Sequence, residues 1–146
     1  MQSAASALIG AFKVKEDTFT IELNQTDDNG NVQTFRVVVR SLKGVPQLTQ
    51  LKVRSQKFYK MCKGHPLPEY KEILKTLELD EATAEMVCEL TDLVIEPKFN
   101  VVDALTMARD AGPALAYIHG QIMERVGYNS GAAEAEDLER RKKLSR

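Results

Sequence analysis

The sequence predicts an α+β domain: an N-terminal β-hairpin packed on a mainly helical body of about five helices. Three observations carry this. Two stretches before residue 41 alternate polar and apolar residues with a period of two. An Asn-Gly pair sits between them, a strong tight-turn signal. From Gly44 onward the apolar residues recur at helical spacing, punctuated by Pro, Gly and capping residues.

The first strand is read from Thr18-Phe19-Thr20-Ile21-Glu22-Leu23, with Phe19, Ile21 and Leu23 on one face. Asn24 to Asn31 forms the connection, turning at Asn29-Gly30. Thr34 to Arg40 is rich in β-branched residues and sets Phe35, Val37 and Val39 on one face. A lone hairpin is marginal in water, so this face must lie on the helices that follow.

Pro46 suits a first helical turn. Leu48, Leu51, Ser55, Phe58 and Cys62 then follow a 3-4 spacing, predicting a helix that ends at Gly64. Pro66 and Pro68 break the chain before a short helix over 69–77, with Tyr70, Ile73, Leu74 and Leu77 inward. Asp80 is a good cap for the next helix, which buries Met86, Val87, Leu90, Leu93 and Val94 and stops before Pro97. Asn100 caps a further helix with Val101, Leu105 and Ala108 as its stripe. Ala111-Gly112-Pro113 is a sharp break. Leu115, Ile118, Ile122 and Val126 line the last core helix, which Gly120 weakens and Gly127 ends.

These elements divide the chain into an arm over 1–17, a globular domain over 18–127 (hairpin 18–40, helices 45–127) and a charged helical tail over 128–146. The arm is apolar, with Leu8, Ile9 and Phe12, and reads as a short helix or flexible lead. No basic residue precedes its short apolar stretch, so it does not read as a secretory leader. In the tail, acids come first (Glu134, Glu136, Asp137, Glu139) and bases last (Arg140, Arg141, Lys142, Lys143), which matches a helix macrodipole. Leu138 and Leu144 are nearly its only large apolar residues, too few to bury it unaided.

Composition limits the function classes. In 146 residues with 43% hydrophobic content there is enough for one core. A net charge of -1 gives no global attraction to nucleic acid or membrane. No apolar run approaches the roughly 18–20 residues that span a bilayer. These features suggest a cytoplasmic protein that is not secreted. Cys62 and Cys88 are read as reduced and buried rather than as a disulfide framework.

Catalytic and metal chemistry find little support. Cys62 and His65 are one close pair of potential metal ligands, but a structural zinc site wants two such pairs. No serine sits in a nucleophile elbow, and His65 and His119 have no local support. The acids sit at surface spacing on helices, and no glycine-rich loop follows a strand and opens a helix. The expectation is no enzyme, no cofactor, no catalytic residue and no metal.

The charge layout is more informative. Arg40 to Lys63 holds seven bases and no acid; Glu69 to Glu96 holds nine acids and two lysines. The simplest reading is adjacent helices whose solvated faces attract each other. Two functional readings compete with it: a basic nucleic-acid-binding surface, and self-association of basic face on acidic face. A nucleic-acid surface also wants stacking rings, and with Phe58 inward only Tyr59 is free nearby. The candidate partner-binding residues are Lys52, Arg54, Lys57, Tyr59 and Lys60, with Leu138 and Leu144 of the tail.

The order of parts resembles a known family. A strand pair around Asp-Asp-Asn-Gly-Asn (Asp27 to Asn31) precedes a helical region. Leu-Val-Ile-Glu-Pro (Leu93 to Pro97) then leads to two helices, and Ile-Met-Glu-Arg-Val-Gly-Tyr (Ile122 to Tyr128) precedes a charged end. This resembles the tail assembly chaperones of long-tailed bacteriophages, particularly contractile-tailed phages and defective prophages, over roughly residues 15–143. The resemblance implies a non-enzymatic protein of the bacterial host cytoplasm. It would bind the long helical tape measure protein and keep it soluble while the tail tube assembles, and it would self-associate. Alternative expectations are a small structural tail or baseplate protein, or a nucleic-acid-binding regulator using the basic 40–63 segment.

Overall fold

A computed structural model of the chain describes residues 3–126. The expected tail, with Leu138 and Leu144, and the stop at Gly127 lie outside the described residues. The architecture is α+β: a three-stranded antiparallel sheet in the order β1-β2-β3 with six helices.

Helix α1 (Ala4–Phe12) starts at Ser3, whose hydroxyl accepts from the Ser6 amide, and buries none of its residues. Strands β1 (Thr18–Thr26) and β2 (Val32–Arg40) pair over their full length, with Phe19 opposite Val39, Ile21 opposite Val37 and Leu23 opposite Phe35. The Asp27 carboxylate closes the turn by accepting from the amides of Asn29 and Asn31, both at 2.9 Å. Gly30 takes a φ of 83°, where a side chain is costly and glycine is not.

Helix α2 (Val45–Gly64) begins at Gly44 with Pro46 in its first turn, and α3 (Pro68–Leu74) follows the double-proline break. Helix α4 (Glu81–Leu93) starts on Asp80, whose carboxylate accepts from the Thr83 amide at 2.7 Å. Helix α5 (Val101–Asp110) opens with a reciprocal box between Asn100 and Asp103, and α6 (Gly112–Val126) departs from Ala111.

Several boundaries differ from the sequence reading: α3 ends at Leu74 rather than 77, and both strands run further toward the turn, to Thr26 and from Val32. The helix over the eighties ends at Leu93, and Val94–Glu96 leaves it as strand β3. The strand pairs with β2 through Val38–Glu96 and Val39–Val94, with an irregular register between. Val94 fits the helical stripe, but Val94-Ile95 ahead of a proline also favours extended backbone. The open edge of β2 supplies the partners that decide it.

The core is one cluster that joins the inner face of the sheet to the helices, with α6 the helix against β1. Phe19, Ile21, Val37 and Val39 cover one side of it, and Leu105, Leu115, Ile118 and Ile122 close the others. Helix α4 is enclosed by α2, α5, α6 and β3, and buries Ala84, Val87, Cys88, Glu89, Leu90 and Leu93. Met86, expected inward, is half-buried at its margin. Among the described residues, every buried side-chain nitrogen and oxygen has a hydrogen-bond partner.

Gly120 lies in the middle of α6, and a Cβ built there meets nothing within 4 Å. Its cost is therefore entropic, with no packing reason to offset it. Gly120→Ala is expected to stabilise the fold by about 0.5–1 kcal/mol. Urea unfolding checks this: a lower midpoint in the variant defeats the assignment.

Candidate functional site

The hairpin outruns its helical cover. Strands of nine residues extend about 30 Å at 3.3–3.4 Å per residue. Phe19 and Val39 at the base are 7% and 0% exposed, whereas at the tip Leu23 is half-buried and Phe35 opposite it is 46% exposed. Beneath the tip runs a groove of about 530 Å³. Leu23 and Phe35 form its roof, Phe99 and Pro97 its side, and Met107 with Ile118 its floor at the α5–α6 corner. Arg36 is the one charged side chain lining it, and Arg36 Nε donates to Glu22 at 3.2 Å on the sheet. The cleft suits an apolar helical or extended segment more than a charged small molecule.

A second apolar surface is α1. Leu8, Ile9 and Phe12 are 59–67% exposed, and the helix carries no acid in its first turn and no base in its last.

The basic segment is only in part an internal complement. Helix α2 packs on α4, and Arg54 meets Asp92 at 3.1 Å. Lys52, Lys57 and Lys60 are exposed and unpaired among the described residues. Tyr59 is not the free ring expected. It is half-buried against the core, and Lys63 Nζ stands 5.6 Å from its ring centre. The helical period explains this, since positions 58 and 59 straddle the buried stripe. Phe58 does point inward, edge-on to Tyr70 at 6.2 Å. The fold thus keeps Lys52, Lys57 and Lys60 on one solvent-facing helix, removes Tyr59 from them, and commits Arg54 to α4.

The sequence reading missed a buried pair. Glu89, counted among the solvated acids, is 1% exposed. Its carboxylate faces His119 Nδ1 at 2.7 and 3.0 Å, joining α4 to α6. Helix enclosure is the reason: position 89 lies between Cys88 and Leu90, and both of those are buried too. The signal available was an acid within a run of core residues. Hydrogen bonding to Glu89 raises the His119 pKa above 6.5, while burial raises that of Glu89.

A carboxylate that orients an imidazole also occurs in nucleophilic sites. Here no serine, threonine or cysteine among the described residues hydrogen-bonds the ring. Cys62 is half-buried and Cys88 buried, and both are free thiols. Burial pushes the Cys88 pKa up to about 12, away from nucleophilic reactivity. Among the described residues, no group of three His, Cys, Asp or Glu side chains is placed to hold a metal ion. No helix among them is long and apolar enough to cross a membrane.

No protein-family model, no curated protein and no solved structure matches this chain.

The pair makes stability depend on pH. His119 has a folded pKa above its unfolded 6.5. Its contribution is therefore fully present below about pH 6.5 and is lost as pH rises through the folded value. Glu89, also raised, acts in the same direction from 4.5 upward, because its buried carboxylate is costly once ionised. Stability is expected to fall from mildly acidic to alkaline pH. Glu89→Gln should lower the His119 pKa and flatten the fall above pH 6.5. Ring-proton NMR titration checks this, and a His119 pKa unchanged by Glu89→Gln defeats it.

Proposed function

We propose that this chain is a non-enzymatic protein-binding module that holds an apolar helical segment of another polypeptide, acting as a phage tail assembly chaperone for a long tape measure protein. The observation that supports this most directly is the apolar groove beneath the hairpin tip. A groove of this kind accepts an amphipathic helix through anchors at i, i+3, i+4 and i+7. Phe35 and Leu23 remain partly exposed in the folded chain, so their burial is left for a partner. Exposed apolar surface of this kind commonly marks an interaction site. The apolar α1 adds a further contact surface at the chain start.

The sequence resemblance points to the tape measure protein as client, and the groove is a surface suited to an apolar helical segment. The structural-protein alternative uses the same surface, but requires the chain to remain in the finished particle. The nucleic-acid alternative loses support from the packing of Tyr59 and from the Arg54–Asp92 bridge. In this reading the site acts by solvent exclusion alone: apolar residues of the client leave water, and no bond is made or broken.

Phe35 tests the site without endangering the core, because nearly half of it is already exposed. Phe35→Asp should weaken binding of a tape measure fragment by about tenfold or more, as expected for an anchor at the centre of an interface. Fluorescence anisotropy with a labelled fragment measures it. The wild-type chain should also be missing from purified tails. Equal binding by wild type and variant, or many copies per mature tail, overturns the chaperone reading.

A further inference from the structure

Strand β1 is an edge strand, and its outer side is chemically open. The ladder alternation says which backbone groups face outward. Ser41 donates its amide to the Asp17 carbonyl, and Asp27 donates to the Asn31 carbonyl, both at 2.9 Å. Both pairs continue the β1–β2 register, in which Thr18 faces Arg40 and Thr26 faces Val32. Odd-numbered residues of β1 therefore bond to β2. The N–H and C=O groups of Thr18, Thr20, Glu22, Asn24 and Thr26 point to the open side. No other described element hydrogen-bonds to them.

Native edge strands usually carry protection: a lysine, a proline, a bulge or a very short length. Strand β1 is nine residues long and has no lysine and no proline. Its pairing is regular from Thr18 to Thr26. Its one charge, Glu22, is already matched by Arg36 across the hairpin. The far edge of the sheet is different, since β3 covers part of β2 there.

We propose that β1 pairs antiparallel with β1 of a second copy about a two-fold axis at Leu23, joining two sheets into one of six strands. Three observations favour this register, and an axis nearer the tip would pair fewer residues of the strand. Outward groups belong to even-numbered residues, so the axis passes through the strand at a residue that leaves even facing even. An axis at Glu22 sets two carboxylates opposite each other, which is unfavourable. An axis at Ile21 carries the partner toward the base of β1, where Arg125 covers the Phe19 ring at 5.2 Å and bridges Glu16 at 3.2 Å. An axis at Leu23 sets Glu22 opposite the neutral Asn24 and uses the unobstructed tip. It also brings the two half-buried Leu23 side chains together on the groove side of the sheet. The partner is thus a second copy of this chain, recognised by backbone hydrogen bonds along an edge whose one charge is already matched by Arg36.

The test uses the full chain. Sedimentation equilibrium should show a concentration-dependent dimer. Glu22→Pro removes an outward amide and no backbone bond to β2, losing besides it only the exposed side-chain bridge to Arg36, a change that edge strands tolerate. It should weaken the dimer by about tenfold or more, by loss of central paired hydrogen bonds, with the far-UV circular dichroism unchanged. Leu23→Cys provides an independent reading. Directly opposed residues of this type lie close enough for a disulfide, so mild oxidation should yield a covalent dimer. Thr18→Cys, at the base of the strand, should yield none, and neither should the unaltered chain. A chain that stays monomeric at high concentration overturns the proposal. So does a dimer in which Leu23→Cys and Thr18→Cys cross-link equally.

Discussion

Helix α4 has no solvent-facing side of ordinary width, and most of the fold follows from covering it. Its residues from Ala84 to Leu93 meet α2 on one flank, α5 and α6 on others, and the chain turns straight from its last residue into β3. A surface helix hides a stripe, whereas an enclosed helix hides consecutive positions. That difference is visible in Val87, Cys88, Glu89 and Leu90, all buried in sequence order. It also sets the one buried carboxylate among the described residues. A carboxylate at position 89 has no route to water, so it needs a donor. His119 on α6 supplies it, and the ring stays about a quarter exposed. Isolated buried charge is far more costly than buried charge held by a hydrogen bond, so the pair fixes how α6 sits on α4.

The sheet obeys the opposite limit. Its inner face is apolar from Phe19 and Val39 at the base up to Leu23 and Phe35, and polar beyond them at Gln25 and Gln33, but the helices seal only the part near the base. Phe19 and Ile21 are sealed, and by Leu23 and Phe35 the cover has thinned. A hairpin that ended at Leu23 would bury nearly the same core. The added residues at the tip therefore contribute little to folding. They extend the groove through Asn24 and Gln25 and lengthen the free edge of β1, which leaves the tip as the part of the molecule that stability explains least.

Most of the elements were legible in the sequence because each had local chemistry behind it. Asp80 and Asn100 cap the helices they were expected to cap, and Asn29-Gly30 makes the turn with Gly30 at positive φ. Strand β3 was not legible, because its three residues gain strand character only from the open edge of β2. Glu89 was not legible for a related reason. Helical periodicity assigns a face, but whether the opposite face is wet depends on how many neighbours a helix has. The candidate site was legible only in parts. Leu23 and Phe35 were assigned to the inner face, but their partial exposure depends on where α5 and α6 end in space. Tyr59 was misplaced because it lies one residue from the stripe, where a small rotation of α2 decides burial.

The groove and the open edge meet at Leu23, which lines the first and centres the proposed pairing at the second. A two-fold axis perpendicular to a sheet keeps each face on its own side. Two copies joined at β1 would therefore present both grooves on the same side, with Leu23 of each copy at the seam. A long amphipathic helix rises 1.5 Å per residue and repeats its apolar face along its length. Such a client meets both grooves at once only if they share a side and lie close together. The second contact is then intramolecular and strengthens the hold without new chemistry. A short helical segment gains nothing from the pairing. In the proposed arrangement the combination would select for length in a helical client, a property that neither a single groove nor a bare strand edge has by itself.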